Sequence, residues 1–253
     1  MASAGPRASE APAAQPPLAV VGGMLCTDLA EVTSDLAALD SHGFWAVVIP
    51  YSGEPVCARF STVRPARPWP GNPWRGPAPD AWETSLDRAG FTAGVETIRS
   101  EIAAGDVYQV NLTRRLRAPL SALPHGSLPG VPAGGPAGSR GRVDLTRPDI
   151  AALGAALAEG NPSPYAAVIR LPEHGVEVAS ASPERFLARD GSTVTSSPIK
   201  GTAATEGGFL DKDRAENVMI VDLVRNDLGR VCEWGSVRVP SLLSVEPHPG
   251  LFH

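Results

Sequence analysis

Cysteine is scarce: Cys26, Cys57 and Cys232 are the only three in 253 residues. They lie far apart, no two at metal-ligand spacing, and an odd number does not make a disulfide framework. A reducing compartment, the cytoplasm, is the expectation. Long apolar runs are also missing. The longest, near 44–49, has the length of a strand and falls far short of a membrane span. The first residues hold alanine and proline without the apolar centre of a signal peptide. No membrane association is expected. Positive charge is in deficit, with 22 Lys and Arg against 27 Asp and Glu and a net charge of −5. A chain without a basic field is a poor candidate for sequence-independent nucleic-acid binding.

Glycine and proline are abundant, 26 of each, beside a hydrophobic share of 43 %. That balance describes a folded protein with loop-rich stretches rather than a disordered chain. The length suffices for one large domain or two small ones.

The pattern along the chain predicts its organisation. Residues 1–17 are rich in Pro and Ala and are expected to be a disordered lead-in. Residues 18–89 form a short N-terminal region. Within it, 44–50 and 56–60 read as strands, and 64–80 as a Pro-rich connector laid over the core. Phe91, Val95, Ile98 and Ile102 recur at helical spacing, with Gly105 placed to end the helix. In 107–116, Tyr108, Val110 and Leu112 alternate with Gln109, Asn111 and Thr113, which predicts a strand. Residues 117–148 read as a Pro/Gly-rich surface loop. A short helix is expected over 149–159. Strands follow at 166–171, 176–180, 185–189 and 193–197, with turns at Glu173-His174-Gly175 and Asp190-Gly191. A helix spans 211–228, and 236–239 and 242–245 look like strands. Hairpins broken by amphipathic helices predict an α+β fold with a mostly antiparallel sheet system.

The chemistry concentrates between residues 180 and 230. Glu184 opens one hairpin strand, and Lys200 follows the second, inside Pro-Ile-Lys-Gly-Thr. A hairpin can return the chain so that both approach one cavity, and Gly201 permits close backbone approach. A lysine fixed there could be a desolvated amine with a lowered pKa, hence a nucleophile. On spacing alone, an exposed turn lysine and a surface glutamate are the plainer reading. In the helix, VMIVDLV is apolar nearly all round, as in a buried helix. A carboxylate such as Glu216 on it would need a partner, and a hard cation such as Mg²⁺ is one solution. A surface pair with Lys212 is the other. Asp222, Arg225, Asn226 and Asp227 suit a structural polar network.

Taken together, IAAGDVYQVNLTRRL (102–116), NPSPY (161–165), SASPERFL (180–187), SPIKGT (197–202) and KDRAENVMIVDLVRNDLGRVC (212–232) resemble the chorismate-utilising enzymes. That group includes the synthases of anthranilate, aminodeoxychorismate, isochorismate and salicylate. The resemblance covers residues 90–253. It implies an antiparallel β-sandwich with flanking helices, of which this chain holds the N-terminal two thirds and is incomplete at the C-terminus. Anthranilate synthases usually carry Ala where Lys200 stands. Isochorismate and salicylate synthases activate water with a lysine where Gln109 stands. The resemblance is therefore nearest to aminodeoxychorismate synthase component I, which makes 4-amino-4-deoxychorismate, the precursor of p-aminobenzoate and folate.

The resemblance implies roles. Lys200 attacks chorismate, Glu184 protonates the leaving hydroxyl, and ammonia comes from a glutamine amidotransferase partner. His253 matches the family's active-site histidine, Gly201 and Thr202 its substrate-binding turn, and Glu216 its Mg²⁺ ligand. Pro164, Tyr165 and Ala166 match one side of the family's tryptophan pocket, whose other side, a Leu-Leu-Glu-Ser segment, is not found. Two alternatives remain open at this point: a non-catalytic interaction remnant of the family, and an enzyme of the anthranilate synthase component I type.

Overall fold

The computed structural model describes residues 15–71, 73–120 and 148–253. Along the chain run β1 (Leu18–Val21), β2 (Met24–Thr33), β3 (Phe44–Val48), β4 (Val56–Pro65), β5 (Glu83–Thr84), α1 (Arg88–Ala104) and β6 (Leu116–Arg117). After these come α2 (Ile150–Gly160), β7 (Tyr165–Leu171), β8 (Val176–Ser182), β9 (Arg185–Asp190), β10 (Thr193–Ser197), α3 (Asp211–Gly229), β11 (Pro247–His248) and β12 (Leu251–Phe252). The chain divides into two compact units, one containing Trp74–Asp149 and the other Ala14–Pro73 with Ile150–His253. The result is a mixed α/β architecture whose strand pairs are all antiparallel.

In the larger unit a six-stranded sheet has the order β3-β4-β2-β1-β7-β8. Residues on both sides of the expected boundary near residue 90 share this sheet. Its first hairpin, β1–β2, turns on Gly22 and Gly23, with φ of 57° and 75°. Two successive positive φ values match the right-handed twist of the flanking strands, and only glycine takes them without steric cost. The β7–β8 hairpin turns through a 3₁₀ segment, Pro172–His174, and a left-handed Gly175.

Alternation along the strands gives the sheet two apolar sides. Ala19, Cys26, Ala46, Ala58, Phe60, Ile169 and Leu171 form one cluster. Their neighbours Leu18 and Val168 form another with Ala151 of α2, and Trp69 packs onto it. The Pro-rich connector thus contributes a ring to the core's edge. Residues 15–17, at the end of the expected lead-in, are tied down. Gln15 is buried, and the Pro16 carbonyl accepts a hydrogen bond from Arg170 Nε at 3.0 Å. Residues 1–14 of that lead-in, and 121–147 of the Pro/Gly-rich loop, lie outside the described residues.

In the smaller unit, α1 is capped at both ends. Asp87 Oδ1 accepts from the Gly90 N–H at 2.7 Å, and Gly105 ends the helix at φ 85°. These are the side-chain N-cap and the left-handed glycine C-cap.

Three strand expectations are corrected. Residues 107–116 form no ladder except at Leu116, which with Arg117 pairs with Glu83–Thr84. Residues 236–239 and 242–245 are irregular, and the local pairing falls instead on the short hairpin β11–β12. Alternation fixes the faces of a strand, but only a neighbour with free backbone groups makes it one. The buried-helix expectation for VMIVDLV is also corrected. No residue of α3 is buried, and Val218 is 47 % exposed. Arg225 and Asp222 do form an exposed ion pair at 2.9 Å. Among the described residues no helix is long and apolar enough to cross a membrane.

Candidate active site

The site begins with the β9–β10 hairpin. Gly191 at φ 58° turns the chain, and the strands run back antiparallel. Near the open end, Phe186 and Leu187 together oppose the single residue Ser196, a β-bulge that re-aims the residues after it. The return brings residues 198–201 beside the β8–β9 connection. Glu184 Oε1 accepts a hydrogen bond from the Ile199 N–H at 2.9 Å. The carboxylate is thereby fixed to the residue before Lys200, although Glu184 itself is exposed.

Lys200 is half-buried and lines an open cleft. Gly201 follows at φ 80°, and a Cβ there would lie 2.9 Å from Asp213 Cβ. Glycine is required because the turn touches α3, whose Asp213, Arg214 and Asn217 form another wall of the cleft. Asp213 Oδ2 accepts from the Leu210 N–H at 2.8 Å, half of a capping box that starts α3. Its other oxygen is 3.6 Å from Lys212 Nζ.

His253 closes the far side. Ala203 and Phe252 exchange both backbone hydrogen bonds, at 2.9 and 2.8 Å, and so do Glu246 and His253, at 2.8 and 3.0 Å. The imidazole Nδ1 lies 3.1 Å from Thr202 Oγ1 and 3.4 Å from the Gly201 carbonyl oxygen. His248 meets the ring edge-on, with centroids 4.7 Å apart. Ile199, Phe209 and Val245 give the cleft an apolar lining, against which Lys200, Arg214, Asp213, Glu246 and His253 are the ionisable groups. A small cleft with apolar walls and a few converging charges suits a small polar or anionic molecule.

The structure therefore brings Lys200, His253, Gly201 and Thr202 together and attaches Glu184 through Ile199. Glu216 sits half-buried on α3 and is not among the cleft-lining residues. Among the described residues, no three His, Cys, Asp or Glu side chains group as a cation cage. Mg²⁺ is nonetheless commonly held by one or two carboxylates with substrate oxygens and water. The donors here fit a share of such a site, not the whole of it. Pro164, Tyr165 and Ala166 are exposed at the start of β7, outside the cleft, with the Arg185 guanidinium 5.9 Å from the Tyr165 ring centroid. Asp213, Arg214, Asn217 and Glu246 are cleft residues to which the sequence pattern assigns no role. For the first three, the i, i+1, i+4 spacing along α3 is the available signal, once that face is known to turn toward 198–201.

An antiparallel sheet, a hairpin-borne lysine and a histidine closing one cleft define a class, and comparison with known proteins gives it a family. Residues 58–129 and 140–253 match the chorismate binding enzyme family, and the chain belongs to it. It is 32 % identical over 227 residues to aminodeoxychorismate synthase component 1 of Escherichia coli (strain K12), covering 83 % of this chain and 44 % of that protein. It is 37 % identical to aminodeoxychorismate synthase component 1 of Klebsiella aerogenes, covering 68 % of this chain and 35 % of the relative. Anthranilate synthase component 1 of Streptomyces coelicolor is 38 % identical, with 68 % of this chain and 31 % of that protein aligned. The chain thus spans less than half the length of these curated relatives.

Proposed function

We propose that the chain supplies the chorismate-aminating chemistry of an aminodeoxychorismate synthase component I, with ammonia delivered by a glutamine amidotransferase partner. The observation that carries this reading is the presence of Lys200 in the cleft, one residue beyond the amide that binds the Glu184 carboxylate. In the anthranilate-forming relatives, the resemblance expects alanine at that position. Family membership supports chorismate as the substrate. The antiparallel β-sandwich of the family is part of the same proposal.

The reaction can be written from these residues. The Lys200 amine adds at ring carbon C2, the two ring double bonds shift, and the C4 hydroxyl departs as water with a proton from Glu184. The Glu184 carboxylate takes back the surplus proton of the new C2 ammonium, leaving a neutral secondary amine. Ammonia then adds at C4, the double bonds shift back, and the bond from C2 to Lys200 breaks. Arg214 contributes positive charge to a cleft that must hold a dicarboxylate. We assign Glu216 as one carboxylate ligand of Mg²⁺, which when bound would neutralise and polarise the ring carboxylate.

The test is mass spectrometry of the chain incubated with chorismate and Mg²⁺ but without ammonia. A covalent adduct mapping to Lys200, followed by release of 4-amino-4-deoxychorismate when an ammonium salt is added, is the expected result. Undiminished product from Lys200→Ala would overturn the reading. Anthranilate as the product would favour the other branch of the family.

A further inference from the structure

The His253 ring is gripped at one nitrogen only. Two oxygens face Nδ1: the Thr202 hydroxyl at 3.1 Å and the Gly201 carbonyl at 3.4 Å. A carbonyl oxygen can only accept. Neutral imidazole carries a single N–H, so only the Nδ1–H tautomer offers a donor to this pair. In the alternative form, the Nδ1 lone pair would face the carbonyl lone pair, with only the Thr202 O–H to bind it. The partner of one ring nitrogen thereby decides what the other nitrogen can do.

The grip is built into the backbone. Gly201 and Thr202 directly precede Ala203, which exchanges two hydrogen bonds with Phe252, the residue before His253. The Thr202–His253 spacing is thus set by the chain on both sides. The edge-on His248 ring, 72° from the plane of His253, limits rotation of the imidazole. Among the described residues Nε2 has no hydrogen-bond partner, and the residue lines the cleft.

We propose that Thr202 is a positioning residue: its hydroxyl holds the His253 ring against the Gly201 carbonyl, which selects the Nδ1–H tautomer and leaves Nε2 as a proton acceptor toward the cleft. The use of that acceptor rests on the amination reading above. When ammonia joins C4 its nitrogen becomes an ammonium. When the C2–N bond breaks, its electron pair goes to the Lys200 nitrogen, which then needs a proton. His253 Nε2 takes one proton from the C4 ammonium and returns one to the departing Lys200 amine, with no net gain or loss. An Nε2 already bearing hydrogen could not begin this exchange.

The experiment is two-bond ¹⁵N–¹H correlation spectroscopy of the histidine rings in the full chain. His253 is assigned by the signals lost in His253→Gln. Neutral His253 is expected in the Nδ1–H form in the wild type, in Thr202→Ser and in Thr202→Val, because the Gly201 carbonyl that requires a donor is present in all three. Nε2–H in the wild type overturns the proposal, and so do His253 ring ¹⁵N shifts that Thr202→Val leaves unmoved. A kinetic arm uses chorismate with an ammonium salt. Thr202→Val should lose about tenfold in kcat, and Thr202→Ser should restore it, as for other residues that orient a ligating or catalytic imidazole. An unchanged kcat in His253→Gln overturns the proton-acceptor role. An Nδ1–H His253 whose ring shifts respond to Thr202→Val, in a chain that never aminates chorismate, upholds the positioning and sinks the reaction assigned above.

Discussion

Glu184 does two separable things at the scale of one residue. Its carboxylate holds the Ile199 amide, and on the proposed chemistry it also gives up a proton. Glu184→Gln keeps an oxygen acceptor for that amide and removes the acid. We expect its stability to urea to stay within about 0.5 kcal/mol of the wild type, the usual range for an exposed substitution. Chorismate turnover should fall by about 10²-fold or more, the ordinary contribution of general acid catalysis. Equal loss in both measurements would mean that the carboxylate only supports the turn. Lys200, Glu184 and His253 stand out in the sequence only through the resemblance of their segments to a known family; spacing alone reads Lys200 and Glu184 as an exposed turn lysine and a surface glutamate. Asp213, Arg214 and Glu246 do not stand out, because only the packing of α3 and of the chain before β11 against the 198–201 turn selects them.

At the scale of the element, α2 shows how closely a helix is matched to its sheet. A Cβ at Gly154 would collide with Val168 Cγ2. Val168 is buried in β7, and its branched side chain has little rotameric freedom. Gly154→Ala, a change that favours a helix in isolation, should therefore destabilise the protein by about 1–3 kcal/mol through overpacking. Chemical denaturation would measure it, and a gain in stability would show that α2 can slide. Helices were the most legible elements. The Gly105 stop and the apolar spacing of Phe91, Val95, Ile98 and Ile102 define α1 from sequence, whereas the Asp87 cap emerges only in the structure. Strands were less so. The alternation in 107–116 is real, yet no neighbouring ladder forms beyond Leu116–Arg117. Conversely, β1 and β2 went unassigned although Gly22-Gly23 between apolar residues is a turn signal. The β1–β7 pairing, Leu18 opposite Arg170, joins segments too distant for any local pattern to relate.

Across the whole molecule, two thiols are committed to the core. Burial pushes the Cys26 thiol above its ordinary value of 9.0. Cys57 is raised first by burial and then by the Asp35 carboxylate. Below about pH 8 both thiols are protonated whether the chain is folded or not, and they give no pH dependence. Above the ordinary value the unfolded chain loses these protons while the folded one keeps them, so stability falls as pH rises. Urea midpoints at about pH 8 and about pH 10 should show this loss, and Cys57→Ala should lessen it. An unchanged slope in the variant would assign the effect to other groups.

The paired backbone bonds between Ala203 and Phe252 have a consequence for how the cleft can be monitored. Each bond closes the ring that holds the other, so the two amides should become accessible to water in a single opening event. Their deuterium uptake would then be a clock for the site's assembly, independent of any substrate. Matching uptake rates are expected under conditions where opening limits exchange. A Phe252 amide exchanging much faster than that of Ala203 would mean that the two bonds open separately.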